Sequence, residues 1–239
     1  MAADKGLREL ATLLDRYGLG TASAAPLAVL LDLLAAPEAP TSVHDPRDAL
    51  RVHIADSLAG LEVREMRDAG VIADLGAGAG PPGLVIAAVL PRARVTLVES
   101  VGRKCEFLRA AADEMRLENV EVVWSRAEEW DAGRDRCDVV CARALASLPV
   151  LCEYAAPLLR EDGVLVAWKG AVDDDEVADV AAAAAHLGLA VEPVRPVIPF
   201  RGSERRTLHV VRKIAPTPGG YPRRAGMATK RPLSAKNLR

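Results

Sequence analysis

Asp74-Leu75-Gly76-Ala77-Gly78-Ala79-Gly80-Pro81-Pro82-Gly83 follows the apolar run Val71-Ile72-Ala73 and leads into Leu84-Val85-Ile86-Ala87-Ala88-Val89-Leu90. An apolar run, a glycine loop and an apolar helix in that order make a βα turn. Glycines at 76, 78 and 80 carry no Cβ that would hold a ligand off the backbone. The helix that follows offers unpaired N–H groups at its positive end. Such a loop suits a nucleotide-like ligand.

The second half of the loop also scans as G-x-G-x-x-G through Gly78, Gly80 and Gly83. Taken alone it fits a nicotinamide dinucleotide as well as S-adenosylmethionine. A second signal lies one helix further on, where Arg94-Val95-Thr96-Leu97-Val98 reads as a strand ending at Glu99. A carboxylate there comes to lie beside the glycines and can accept hydrogen bonds from both ribose hydroxyls. Rossmann dehydrogenases and class I methyltransferases share that arrangement.

Half of the 239 residues are hydrophobic, enough for one globular domain with appendages. The boundaries expected are an N-terminal helical extension over 1–67, an α/β domain over 68–214 and a basic, flexible tail over 215–239. The longest apolar run, 24–36, is shorter than a membrane span and contains Asp32, and the first residues lack the order of a signal peptide. A cytoplasmic monomer is expected. Four cysteines form no C-x-x-C pair and four histidines show no ligand spacing, so no metal is expected. Cys137 and Cys141 fall in phase on one strand and are expected to face the core together. From Arg201 onward there are eleven Lys or Arg and a single acid, Glu204, a net +10 against −12 for residues 1–200. A polyanion is the partner such an end would attract.

Leucines 7, 10, 13 and 14 recur at helical spacing, Pro26 opens a second apolar helix, and Pro37-Glu38-Ala39-Pro40 stops it. A third helix, from Asp48 to about Leu61, puts Leu50, Ile54 and Leu58 on one face and His53, Asp56 and Ser57 on others. His53 is its functional candidate. Strands then alternate with helices: strands at 120–124, 137–141 and 164–168, and helices at 102–116, 148–159 and 173–187. Two closing strands, 190–198 and 207–214, read as an antiparallel pair on the sheet edge, turned by Phe200-Arg201-Gly202. The fold class expected is therefore α/β, a mainly parallel Rossmann-like sheet with helices on both faces.

Ligands of such sheets bind beyond the carboxyl ends of the strands. That rule selects 74–82, Glu99, 125–129, 141–147 and Lys169-Gly170. An acid in Ser125-Arg126-Ala127-Glu128-Glu129 is placed to meet an adenine amino group. Arg143 and Lys169 bring cations that could hold a carboxylate or a phosphate.

DLGAGAGPPGL, LVES with Arg103-Lys104, FLRAAADEMRLENVEVVWSRAEEW, CARALASL and VAWKG together closely resemble the RsmG family, once called glucose-inhibited division protein B. Its members are S-adenosylmethionine-dependent 7-methylguanosine methyltransferases of small-subunit ribosomal RNA. The resemblance runs from about Thr41 into the tail, where TPGGYPRRAGMATKRPL looks like the longer C-terminus of Gram-positive members. It implies a class I methyltransferase fold in which Gly76, Pro81, Ala127, Glu128 and Arg143 contact the cofactor and Glu99 binds its ribose; Gly78 and Gly80 are expected there from the loop itself. Arg126 and Lys169 would lie on the site rim, facing RNA or cofactor, and His53, the candidate of the third helix, is expected to bind the substrate, ribosomal RNA or a subunit assembly intermediate. Ala39-Pro40 stand where the family often has Asn-Leu, and Val52 where many members have Arg.

The seventh-position nitrogen of guanine has a free lone pair and no proton to lose, so its methylation requires no general base. In keeping with this, the stretch after the fourth strand, Cys-Ala-Arg-Ala-Leu-Ala-Ser, lacks the Asn/Asp-Pro-Pro-aromatic element that receives an exocyclic amine. Cys141 could serve only in a carbon-methylating enzyme. With eight aromatic residues in the chain, Trp130, Trp168 and Phe200 are the candidates for stacking on a base. Two further readings stand beside the methyltransferase: a nicotinamide-dependent oxidoreductase, which would want a Ser/Tyr-x-x-x-Lys relay not seen here, and a non-catalytic RNA-binding protein of the same fold.

Overall fold

The computed structural model describes residues 2–238. Its strands are β1 (Val71–Leu75), β2 (Arg94–Glu99), β3 (Val120–Trp124), β4 (Cys137–Arg143), β5 (Leu159–Lys169), β6 (Leu189–Val191), β7 (Arg195–Val197) and β8 (Arg206–Lys213). They form one sheet in the order β3-β2-β1-β4-β5-β8-β6, with β7 also on β8. β1 to β5 are parallel, and their central members are near-continuous Val, Leu and Ala because both faces are covered.

β8 runs antiparallel to β5 and carries β6 and β7 on its outer side. The closing strands thus form the antiparallel edge expected of them, with β8 on the inner side and β6 and β7 outermost. The single strand expected over 190–198 is two short ones, parted at Glu192-Pro193-Val194, where Pro193 has no N–H to donate to a ladder.

The helices are α1 (Ala2–Arg16), α2 (Ala24–Ala35), α3 (Pro46–Ala49), α4 (Asp56–Leu58), α5 (Arg64–Asp68), α6 (Gly83–Val89), α7 (Gly102–Glu114), α8 (Leu148–Ala155), α9 (Asp174–His186) and α10 (Met227–Lys230). Between α3 and α4 lies a π-helical stretch, Leu50–Ala55, and after α4 a 3₁₀ turn, Ala59–Glu62. Asp45 caps this composite helix by accepting from Arg47 N and Asp48 N, with Pro46 at the first position. Asp173 caps α9 through Glu176 N, and Gly188 beyond its end has φ +75°.

Leu10, Leu27, Leu30 and Ile54 from the N-terminal helices share one core with Leu84 of α6, Leu108 of α7 and one face of the sheet. The opposite face packs against α8 and α9. Cys137 belongs to the second core and Cys141 to the first, because the register slips between Cys137 and Val139 and undoes the expected period of two. The C-terminal segment is not the free arm expected of it. Ala228 and Leu233 are buried with α8 and α9, and Arg223 pairs with buried Glu153.

Candidate functional site

Strand register gathers the loops of interest at one sheet edge. Leu75 pairs with Val98 and with Ala142, Glu99 with Trp124, and Arg143 with Trp168. The segments that follow therefore emerge side by side at the carboxyl ends of β1 to β5, as parallel pairing dictates.

The glycine loop is pinned to the end of β2. Val98 O accepts from Gly76 N (2.8 Å) and Ala77 N (3.3 Å). Glu99 is 5% exposed; its Oε2 accepts from Gly78 N at 3.0 Å and its Oε1 from Val101 N at 2.9 Å. Two charge-assisted bonds fix this carboxylate, and each oxygen keeps a lone pair for a ligand hydroxyl. Gly76, at φ +67°, also lets Leu145 lie close above it: a Cβ there would meet Leu145 Cδ1 at 2.6 Å. Leu145, on the loop after β4, is an apolar cover that sequence reading missed.

Asp74 is buried beneath the loop. Its Oδ2 accepts from Gly83 N at 2.8 Å, at the start of α6, while Oδ1 has no hydrogen-bond partner. Burial drives its pKa up to about 7, against the lowering effect of the Gly83 bond and Arg143. The Cys141 thiol is also buried, and burial with the neighbouring Asp74 holds its pKa well above the ordinary value. A thiolate nucleophile is thereby disfavoured.

The second cluster joins β4 to the composite N-terminal helix. Arg143 Nη1 donates to Val52 O (2.6 Å) and Asp56 Oδ2 (3.1 Å), and Nη2 donates to Pro81 O (3.3 Å) and His53 Nδ1 (3.2 Å). A guanidinium only donates, so Nδ1 bears the lone pair and the proton sits on Nε2, 3.1 Å from Thr41 Oγ1. Burial and then Arg143 push the His53 pKa down to about 4, which keeps the ring neutral. Val52 contributes its carbonyl, so the side-chain departure from the family pattern leaves this contact intact.

Asp56 and Ser57, expected off the helix face that carries Leu50, Ile54 and Leu58, are both buried. Asp56 is 1% exposed, paired to Arg143, with Arg206 Nε 3.5 Å from Oδ1. Its carbonyl accepts from Trp168 Nε1 at 2.7 Å. An aspartate on an amphipathic helix reads as solvated; its partners come from β4 and β8, which no local pattern reveals. The π-helical stretch just before it is the kind of irregularity often found at functional sites.

The remaining candidates divide. Ala127 and Glu128 follow β3, where Ser125 N donates to Glu99 O at 3.0 Å, beside the acid that holds the glycine loop. Lys169 faces the rim but is tied to Glu176 (2.9 Å) and to Ala146 O (3.4 Å). Arg126 is exposed and is not drawn into the Arg143 cluster. Trp168 is core and Trp130 covers Gly133. The exposed aromatic is instead Trp124, 67% accessible at the end of β3 and donating to Ser100 O at 3.0 Å. Among the described residues no group of three or more His, Cys, Asp or Glu could hold a metal ion, and no helix is long and apolar enough to cross a membrane.

The family model described as GidB, rRNA small subunit methyltransferase G, matches residues 30–198. A ribosomal RNA small subunit methyltransferase G of Rubrobacter xylanophilus is 40% identical over 96% of this chain and 86% of that protein. Its counterpart in Roseiflexus castenholzii is 45% identical over 81% of this chain and 83% of the relative. Among solved structures, a SAM dependent methyltransferase from Aquifex aeolicus superposes with a TM-score of 0.54 at 15% identity, covering 77% of this chain and 97% of that one, a likeness of fold.

Proposed function

Because the chain belongs to the rRNA small subunit methyltransferase G family, we propose that it transfers a methyl group from S-adenosyl-L-methionine to the seventh-position ring nitrogen of a guanosine in small-subunit ribosomal RNA. It acts on that RNA or on a subunit assembly intermediate, as a monomer in the cytoplasm. The observation that carries the reading is the Glu99 carboxylate locked to Gly78 N–H at the mouth of the glycine loop. The residues present suit the methyl donor: a loop without side chains at 76, 78 and 80, a ribose-side acid, Ala127-Glu128 toward the adenine and Pro81 with Arg143 toward the methionine end. Family membership weighs against the nicotinamide oxidoreductase that the loop alone would allow.

The donor, when bound, supplies an electrophilic methyl carbon on a sulfonium. The guanine lone pair forms the new C–N bond as the S–CH₃ bond breaks, leaving a neutral thioether and a positively charged base. No proton leaves the nitrogen, so positioning dominates. Consistent with this, the groups nearest the edge are held still: Arg143 by four acceptors, His53 neutral, Cys141 protonated. Arg126 offers an exposed cation to RNA phosphate, whereas Lys169 would have to leave Glu176 to do so. A guanosine inside paired RNA hides this nitrogen in the deep groove, so the target is expected unstacked.

The test is mass mapping of small-subunit RNA from cells with and without this chain. A 7-methylguanosine that disappears on deletion and returns with the wild-type gene is the expected result. An unchanged pattern would leave only RNA binding, and tight binding of NAD in place of S-adenosylhomocysteine would overturn the donor.

A further inference from the structure

Glu128, the acid after β3 assigned to the adenine, is not a solitary surface side chain. Its Oε1 accepts the backbone N–H of Gly226 at 2.8 Å, from 98 positions later in the chain. Gly226 has φ +74°, a left-handed turn that glycine adopts with little strain, and this turn delivers the chain into α10. The segment around it is anchored on three sides. Arg223 grips fully buried Glu153 of α8 with Nε to Oε1 at 2.8 Å and Nη2 to Oε2 at 2.5 Å. The hydroxyls of Thr229 and Tyr154 meet at 3.1 Å, and Tyr154 itself lies within reach of Glu128. Ala228 and Leu233 are buried in the core that α8 and α9 share, and Ala127 packs against that same core. Further along, Ala235 N donates to Asp179 on α9 at 2.9 Å. A tail serving only as a charged lure for RNA would need none of these bonds.

We propose that residues 221–238 are a built-in strap of the methyl-donor site, holding the Glu128 carboxylate in place through Gly226 so that its remaining acceptor capacity meets the adenine 6-amino group. A carboxylate has about four lone-pair directions, so one bond to Gly226 steers it without saturating it. Gly226 and Arg223 are positioning residues: they act through Glu128 and α8. The proposal rests on the donor reading of the site.

The experiment uses the full chain carrying Leu233→Ser, which unseats the strap, with release checked by faster amide exchange over 226–238. Two ligands are titrated by calorimetry: S-adenosylhomocysteine and its purine analogue lacking the 6-amino group. Unseating is expected to weaken the first roughly tenfold, the scale of one charge-assisted hydrogen bond, and the second less than twofold. Equal weakening of both ligands would make the strap a mere brace and overturn the proposal, as would unchanged affinity with the strap released. A wild-type chain that binds neither ligand would overturn the donor site itself and the strap with it. If Leu233→Ser does not fold, Thr229→Val removes only the Tyr154 bond and is expected to give a smaller loss confined to S-adenosylhomocysteine; a loss shared by both ligands would again overturn the strap.

Discussion

His53 shows how a residue's neighbours decide what it can do. With its pKa near 4 rather than 6.5, the folded state binds fewer protons than the unfolded chain between those values, so stability falls as pH drops from about 6.5 toward 4. Proton-resonance titration of the imidazole should give a midpoint near 4, and His53→Gln should flatten that limb of the stability curve. Asp56 makes the opposite point about charge. Asp56→Ala leaves Arg143 largely buried without its carboxylate and is expected to lower stability by about 3–5 kcal/mol in urea unfolding. Glu99→Ala should weaken S-adenosylhomocysteine by about 1–3 kcal/mol in calorimetry, through missing hydroxyl bonds and a freed Gly78. Glu99 was legible in the sequence because a strand-end acid has a fixed distance from its loop. Asp56 was not, since Arg143 lies 87 positions away and a helical period reports only which residues share a face.

At the scale of elements, the βα alternation was readable because each parallel strand is a short apolar run bracketed by turn residues. What escaped were features set by non-local pairing: β8 beside β5, the slip that parts Cys137 from Cys141, and the docking of 221–238. Compositional bias suggested a loose tail, whereas Arg223, Ala228 and Leu233 each find a specific seat on α8 or α9. The start of α6 invites a direct test. A Cβ on Gly83 would collide with Leu97 Cδ2 and with Asp74, so Gly83→Ala is expected to lower stability by about 1–3 kcal/mol, as overpacking does. Thermal or urea unfolding would measure it, and donor affinity should fall with it as the loop is pushed from β2.

For the whole molecule, charge is distributed by function. The docked strap leaves Arg224, Lys230 and Arg231 exposed while its apolar residues are buried. These cations are expected to meet RNA phosphates. Replacing all three with Gln should weaken RNA binding at low salt and flatten the slope of log affinity against log salt, by about 0.7–0.9 for each phosphate no longer neutralised. Filter binding across a salt series would read this, and an unchanged slope would place the RNA elsewhere.

β8 has a consequence for how the protein comes into being. Since this strand lies inside the sheet, between β5 and β6, and its Arg212 reaches Glu65 and Glu192, a nascent chain cannot close its architecture until nearly all of it has left the exit tunnel. A product cut short before residue 206 would display a naked β5 border to other chains. Stops upstream of β8 would then leave a chain with that unpaired border rather than a working fragment.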